Sequence, residues 1–110
     1  TEETQNPSWV MGDFNQSRYN HQGYGTEKVR QLLSDYLKKL NLTCVTEKDL
    51  SPFLHPDPIK NKIRNNIDHI CISNSFIKEM KEYQVGAWDH FNEEGKYMSD
   101  HNGVFISFEI

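Results

Sequence analysis

The sequence has little cysteine and no long apolar segment. No stretch approaches the roughly 18 apolar residues that a membrane-spanning helix requires, and no signal-peptide pattern occurs. The two cysteines, Cys44 and Cys71, lie in the short apolar runs LTCV and IDHICIS. Because two cysteines lack the spacing of a zinc site, we expect buried free thiols rather than a disulfide or metal pair. These features predict a soluble protein and favour the cytoplasm, but they leave the compartment open.

A surplus of basic residues is also missing. The formal net charge is -4, from 12 Lys and Arg against 16 Asp and Glu, whereas proteins that draw their affinity from nucleic-acid phosphates carry a basic surface. Any nucleic acid bound here is therefore expected to be a substrate rather than a tightly held partner. Only 35% of the 110 residues are hydrophobic, and the mean hydropathy is -0.79. One domain with a modest core is expected, with some apolar surface meant for a neighbour.

The first half of the chain predicts a β-α-β unit. Apolar residues recur at helical spacing between Thr26 and Leu40, which indicates an amphipathic helix with Thr26 as its N-cap and Asn41 as its end. The apolar run at 8–11 predicts a buried strand before this helix, and the run at 42–45 predicts a second strand after it.

The second half predicts a long loop followed by two clear strands. Residues 51–66 contain three prolines and read as an ordered loop, residues 67–73 as a strand, and residues 103–110 as a core strand with apolar side chains at every second position. Residues 74–85 are compatible with a short helical turn or an edge strand. Residues 87–98 read as a loop.

Polar residues interrupt the apolar runs at three places. Asp13 and Asn15 follow the first strand, Asp68 lies in NNIDHICIS, and Asp100 with His101 precedes the last strand. Because an unpaired buried charge is costly, three such interruptions suggest convergence on one site. Each also has a plainer interpretation, since GDFN can be a turn, the aspartates can bond backbone amides, and a single histidine is more often structural.

In their order, GDFN at 12–15, NIDHICIS at 66–73 and SDHNGV at 99–104 resemble the endonuclease/exonuclease/phosphatase superfamily of deoxyribonuclease-I-like enzymes. The resemblance covers nearly all of residues 1–110 but only about the C-terminal half of the family domain. It implies an α/β fold, half of a two-sheet α/β sandwich whose mixed sheet is mainly antiparallel, with an outer helix.

The resemblance implies metal-dependent hydrolysis of a phosphoester. A nuclease-type phosphodiesterase is favoured by the cations at 60–64 and by the open loop at 16–25. The alternatives are a lipid or small-molecule phosphatase, and a non-catalytic interaction module on the same scaffold. Retention of the whole polar set argues against the module.

The resemblance also implies roles for five residues. Asp100 would ligate Mg²⁺ or Mn²⁺, which prefer oxygen ligands. His101 would donate a hydrogen bond to the scissile phosphate, and Asp68 would orient its imidazole and favour the charged form. Asn15 would hold a phosphate oxygen or a second metal, and Asp13 would orient or deprotonate the attacking water or assist the leaving oxygen.

Other residues are weaker candidates. Arg18, Lys62 and Arg64 are the predicted substrate-binding cations, and Lys60, Lys62 and Arg64 would share one side of an extended segment, either steering phosphate or simply solvated. His69 should point to the opposite sheet face from Asp68 and be a packed structural histidine. Three more loop residues are equally compatible with a contact to substrate and with a plain surface position: Tyr19, Asn20 and Trp88.

The chain departs from the family in one respect. Family members carry an N-terminal half with a metal-binding glutamate and a second histidine, and nothing before Trp9 supplies them. The chain begins with TEETQNP rather than methionine, so we expect a processed or truncated start. We also expect little activity from this chain alone, and pairing with the missing half or with itself.

Overall fold

The computed structural model describes residues 8–19, 25–57 and 59–110. It contains two helices, five strands and one 3₁₀ turn, and these elements follow one another along the chain. In order they are β1 (Trp9–Asp13), α1 (Glu27–Lys39), β2 (Leu42–Cys44), the 3₁₀ turn (Ser51–Phe53), β3 (Asp68–Ser73), α2 (Asn74–Ile77), β4 (Glu82–Trp88) and β5 (Gly103–Glu109).

Helix α1 begins and ends where the sequence predicts. The Thr26 hydroxyl accepts a hydrogen bond from the Val29 N–H at 3.2 Å, which satisfies one of the free donors of the first turn. Asn41 follows the helix in the left-handed conformation, with φ of 56°, a geometry that asparagine tolerates better than most residues. Thr26 and Asn41 are therefore confirmed as the residues that bound α1.

Replacing Thr26 by alanine is expected to lower the free energy of unfolding by about 1 kcal/mol, because the Val29 N–H loses its partner. Urea denaturation monitored by circular dichroism measures this change. Thr26→Ser keeps the hydroxyl and serves as the control. Equal losses in the two variants would show that the methyl group, and not the cap, carries the effect.

The first sheet has β3 at its centre. Its strand order is β1-β3-β2, and β3 pairs antiparallel with both neighbours. β1 and β2 therefore run parallel on either side of β3, joined by α1, so the β-α-β prediction is confirmed. The central position buries β3, in which Cys71 and Ile72 have no exposed surface. Both cysteines are buried and free, as predicted.

The elements form three layers, because the two faces of β3 pack on different partners. Cys71 belongs to an apolar cluster that includes Leu37 of α1. Ile70 and Ile72 belong to a second cluster, which includes Val85 of the second sheet, in which β4 and β5 pair antiparallel. The fold is thus a mixed α/β fold with α1 outside the first sheet, two small antiparallel sheets and a core between them. Among the described residues, no helix has the length and apolar character needed to cross a membrane.

Two predictions about burial were wrong. All of β1 is exposed, including Met11 at 64%, because β1 is an edge strand that pairs only with β3 among the described strands. In β5, Val104 and Ile106 pack against the core, but Phe108 remains 37% exposed because the described part of the second sheet has two strands. The segment after β3 forms both the short helix α2 and the strand β4, and β4 continues to Trp88, which the sequence places in a loop.

Candidate functional site

Strand pairing brings the first two polar motifs together. Asp13 at the end of β1 lies opposite Asp68 at the start of β3. After Asp13 the chain turns sharply, because the Asp13 carboxylate accepts the Asn15 N–H at 2.8 Å and Asn15 adopts a φ of 54°. The turn interpretation of GDFN and the site interpretation are therefore compatible, since the turn leaves Asp13 beside Asp68.

The third motif, which contains His101, lies next to Asp68. The His101 Nδ1–H donates to Asp68 Oδ2 at 2.6 Å, a short charge-assisted hydrogen bond between a loop and the start of β3. The hydrogen bond and the charge of Asp68 raise the pKa of His101 above its usual value, and the nearby charges of Asp100 and Asp13 act in the same direction. The environment thus favours an imidazolium at this position.

Ligand atoms of Asp13, Asp68 and His101 lie within 4.8 Å of one another. Asp100, the predicted metal ligand, is exposed and is not a member of this cluster, although it lines a cavity together with Asp68 and His101. The cluster combines two carboxylates with one imidazole, a donor set that does not distinguish one divalent cation from another. Mg²⁺ or Mn²⁺ at this site stays a prediction, since the cluster holds fewer oxygen ligands than the roughly six that such an ion takes.

All of the predicted catalytic and metal-binding residues except Asp13 line a cavity of about 490 Å³, within the range of small-ligand sites. Asn15, Asp68, Asp100 and His101 lie on its wall together with three cations: Lys60, Lys62 and Arg64. The predicted substrate-binding residues Lys62 and Arg64 are therefore brought to the predicted catalytic residues.

The cations do not form the extended strip that the sequence predicts. The Asp57 carboxylate accepts the N–H groups of Ile59 and Lys60, and Asn61 has a φ of 54°, so the chain turns here. These backbone hydrogen bonds lower the pKa of Asp57, and Arg64 contributes in the same direction. The turn places Lys60 and Lys62 at the cavity even though the segment is not extended.

Arg64 is held by several partners. Its guanidinium lies 3.2 Å from Asp57 Oδ2, donates to the Asp100 carbonyl at 3.2 Å and lies 5.7 Å from the centre of the Tyr97 ring. Part of its charge is therefore offset by Asp57, and it connects the 57–64 segment to the loop that carries His101.

Arg18 lies outside the site, contrary to its predicted role. It is 6% exposed, does not line the cavity, and donates to Ser34 Oγ at 2.6 Å and to the Arg30 carbonyl at 3.0 Å. It also forms an ion pair with Glu47 at 3.1 Å. Arg18 therefore connects α1 to the loop that follows β1, and its guanidinium is not presented to a substrate in this cavity.

His69 is a packed histidine, as predicted. It is 1% exposed, and its ring nitrogens lie 2.8 Å from Thr46 Oγ1 and 2.9 Å from the Gln16 carbonyl. The alternation of side chains along β3 places it on the face opposite Asp68.

Comparisons with protein-family models, with curated proteins and with solved structures found no match to this chain.

Two residues that the sequence did not single out belong to the site. Asn66 precedes β3 and Asn102 follows His101, and their side chains bond each other at 3.1 Å. The remaining loop candidates do not line the cavity: Tyr19 borders a different one, and Trp88 lies against Phe105 at 4.9 Å between ring centres. Asn20 lies outside the described residues.

Proposed function

We propose that this chain carries part of the active site of a metal-dependent phosphoesterase, with a nuclease-type phosphodiesterase as the leading assignment. The observation that carries the proposal is the hydrogen bond between His101 and Asp68, which line an open cavity and lie beside Asp13. The proposal is supported by the proximity of these three residues, which come from three motifs distant in sequence.

The proposed mechanism follows from the charge of a phosphoester. Water must attack an anion, so the site has to offset the phosphate charge and also activate the water. The imidazolium of His101, which Asp68 keeps charged, donates to a phosphate oxygen as negative charge develops on it. The carboxylate of Asp13 orients the water or accepts its proton, and the amide of Asn15 binds a phosphate oxygen.

Asp100 is the proposed ligand of the metal ion. Mg²⁺ or Mn²⁺ bound there would supply positive charge to the phosphate and lower the pKa of a bound water. In this proposal Asp68 keeps its hydrogen bond to His101 through Oδ2, and Asp100 would hold the ion.

A nucleic acid is the favoured substrate because of the charge distribution. Lys60 and Lys62 are exposed at the cavity of a protein with a net charge of -4. They can attract a phosphate locally without the broad basic surface of a tight nucleic-acid binder. Smaller phosphoesters fit the same chemistry and are distinguished by assay.

The exposed side of β1 favours a neighbour for this chain. Trp9, Val10 and Met11 are 36%, 45% and 64% exposed, and among the described strands β1 pairs only with β3. An edge strand with apolar side chains is a ready surface for further strand pairing. We propose that the remainder of the family domain, or a second copy of the chain, covers it and completes the metal site. The same surface would serve the alternative function, a non-catalytic interaction module.

The test is hydrolysis by the full-length polypeptide encoded by the gene that carries this sequence. Plasmid DNA, single-stranded RNA and a chromogenic phosphodiester are incubated with Mg²⁺ or Mn²⁺, and with a chelator. We expect metal-dependent cleavage by this polypeptide and little or none by the 110-residue chain. Robust cleavage by the chain alone would contradict a partial site, and an inert full-length polypeptide would favour the interaction module.

A further inference from the structure

The hydrogen bond between His101 and Asp68 joins two sheets that share no strand pairing. Asp68 starts β3 in the first sheet, whereas His101 lies in the loop before β5 in the second sheet. Backbone ladder hydrogen bonds therefore do not set the distance between the imidazole and the carboxylate. Other contacts must hold the His101 loop in place for the 2.6 Å distance to be maintained.

The side-chain amide of Asn66 forms two hydrogen bonds with the backbone of Asp68. Its Nδ2 donates to the Asp68 carbonyl at 2.7 Å, and its Oδ1 accepts the Asp68 N–H at 3.3 Å. This two-point contact fixes the amide plane of Asn66 relative to the residue that carries the carboxylate.

Asn102 extends this contact to the other sheet. Its Nδ2 donates to the same Asn66 Oδ1 at 3.1 Å and to the Gly103 carbonyl at 3.1 Å. Asn102 is only 5% exposed, and an unpaired amide costs about 1–3 kcal/mol when buried. The burial therefore strongly favours the conformation in which the two amides are bonded, and His101 is the residue directly before Asn102.

We propose that Asn66 and Asn102 form an amide clamp that positions His101 against Asp68. Neither is a catalytic residue, because each acts through the residue it holds. The importance of the clamp for turnover rests on the proposed function, but its effect on the Asp68–His101 hydrogen bond does not. Small displacements of a reacting group can cost about a hundredfold in rate, so a clamp of this kind is expected to be needed.

The test is Asn102→Ala in the 110-residue chain, with the Nδ1 proton of His101 followed by proton–nitrogen correlation NMR well below the unfolding temperature. We expect the hydrogen-bonded proton resonance to shift strongly upfield or to vanish by exchange with water. A residue that only stabilised the fold would leave this resonance unchanged in the folded population. Asn92→Ala is the matched control, since Asn92 caps a turn in the same β4–β5 connection through the N–H groups of Glu94 and Lys96.

A second variant keeps the test decisive if Asn102→Ala does not fold. Asn66 is only half-buried, so Asn66→Ala is expected to fold and to give the same spectral change. The double variant should change the His101 resonance no more than either single variant does, because the effects of two residues that act through one contact are not additive. A retained His101 resonance in Asn66→Ala or Asn102→Ala would overturn the clamp.

Turnover of the full-length polypeptide gives an independent readout. Asn102→Ala is expected to lower kcat by about ten- to a hundredfold with KM changed less than about twofold, since substrate contacts remain. Unchanged kcat would overturn the clamp as a positioning device. Loss of the His101 resonance in a protein whose wild type hydrolyses nothing would support the clamp and reject the phosphoesterase.

Discussion

Replacing His101 by alanine is expected to lower kcat of the full-length polypeptide on its best phosphodiester by about a hundredfold or more. In the proposed mechanism His101 donates to the charge that develops on the phosphate, and its hydrogen bond to Asp68 favours an oriented, charged imidazole. Because that interaction is formed mainly in the transition state, kcat should fall more than KM rises.

His55→Ala is the matched control for this experiment. His55 also pairs with an aspartate, Asp89, but its side chain is 80% exposed and does not line the cavity. Its removal is expected to leave kcat unchanged within about twofold. Near-normal turnover of His101→Ala would remove His101 from the mechanism, whatever the control does.

The elements that the sequence predicts well are those set by local chemistry. The periodicity of α1, its Thr26 cap and the left-handed Asn41 act within a few residues. The buried state of β3 follows from a short apolar run, and the position of His69 follows from strict alternation along that strand. None of these depends on which distant segment the element meets.

Burial of β1 was predicted wrongly because it depends on neighbours rather than on composition. Trp9, Val10 and Met11 have the composition of a core strand, yet strand order places them at an edge. Arg18 shows the opposite error, because it has the composition of an exposed loop residue and is nevertheless buried. Its guanidinium is bound by Ser34, the Arg30 carbonyl and Glu47. Partners from two separate segments, α1 and the loop after β2, leave no local pattern to detect.

The candidate site was predictable only in part, for the same reason. Motif order indicated Asp13, Asp68 and His101, and the structure brings these three together. The pairing of Asn66 with Asn102 spans 36 positions and joins two sheets, and asparagine next to a strand is equally typical of a turn. Identifying that pair required the three-dimensional structure. The same is true of the turn that places Lys60 and Lys62 at the cavity.

Replacing Asp68 by asparagine is expected to distinguish the effect of the carboxylate charge on His101 from the effect of the hydrogen bond that positions the ring. The substitution removes a single negative charge and keeps the shape of the side chain, since an amide oxygen can still accept the His101 Nδ1–H at the place of Oδ2. Without that charge the pKa of His101 should fall back toward its ordinary value, because Asp68 is the largest cause of its rise.

The sign of the pH effect follows from the raised pKa. In the wild type the imidazolium persists above the ordinary histidine pKa, so kcat should hold until the pH exceeds the raised value. In Asp68→Asn the alkaline decline of kcat should begin at lower pH, and the deficit relative to wild type should be smallest in acid. The free energy of unfolding should depend on pH with the same sign. The stabilisation by the Asp68–His101 pair is present below the ordinary histidine pKa and is lost as the pH rises through the raised pKa.

Three measurements test this expectation: NMR titration of His101 in the 110-residue chain with a chelator present, pH profiles of kcat, and urea denaturation at several pH values. Asp35→Asn removes one negative charge from the exposed surface of α1 and is the control for net charge. An unchanged His101 titration in Asp68→Asn would show that the carboxylate does not set the charge of the imidazole. An unchanged titration with a large loss of kcat at every pH would instead assign Asp68 to orientation alone, since a neutral amide cannot reproduce the short charge-assisted bond that holds the ring.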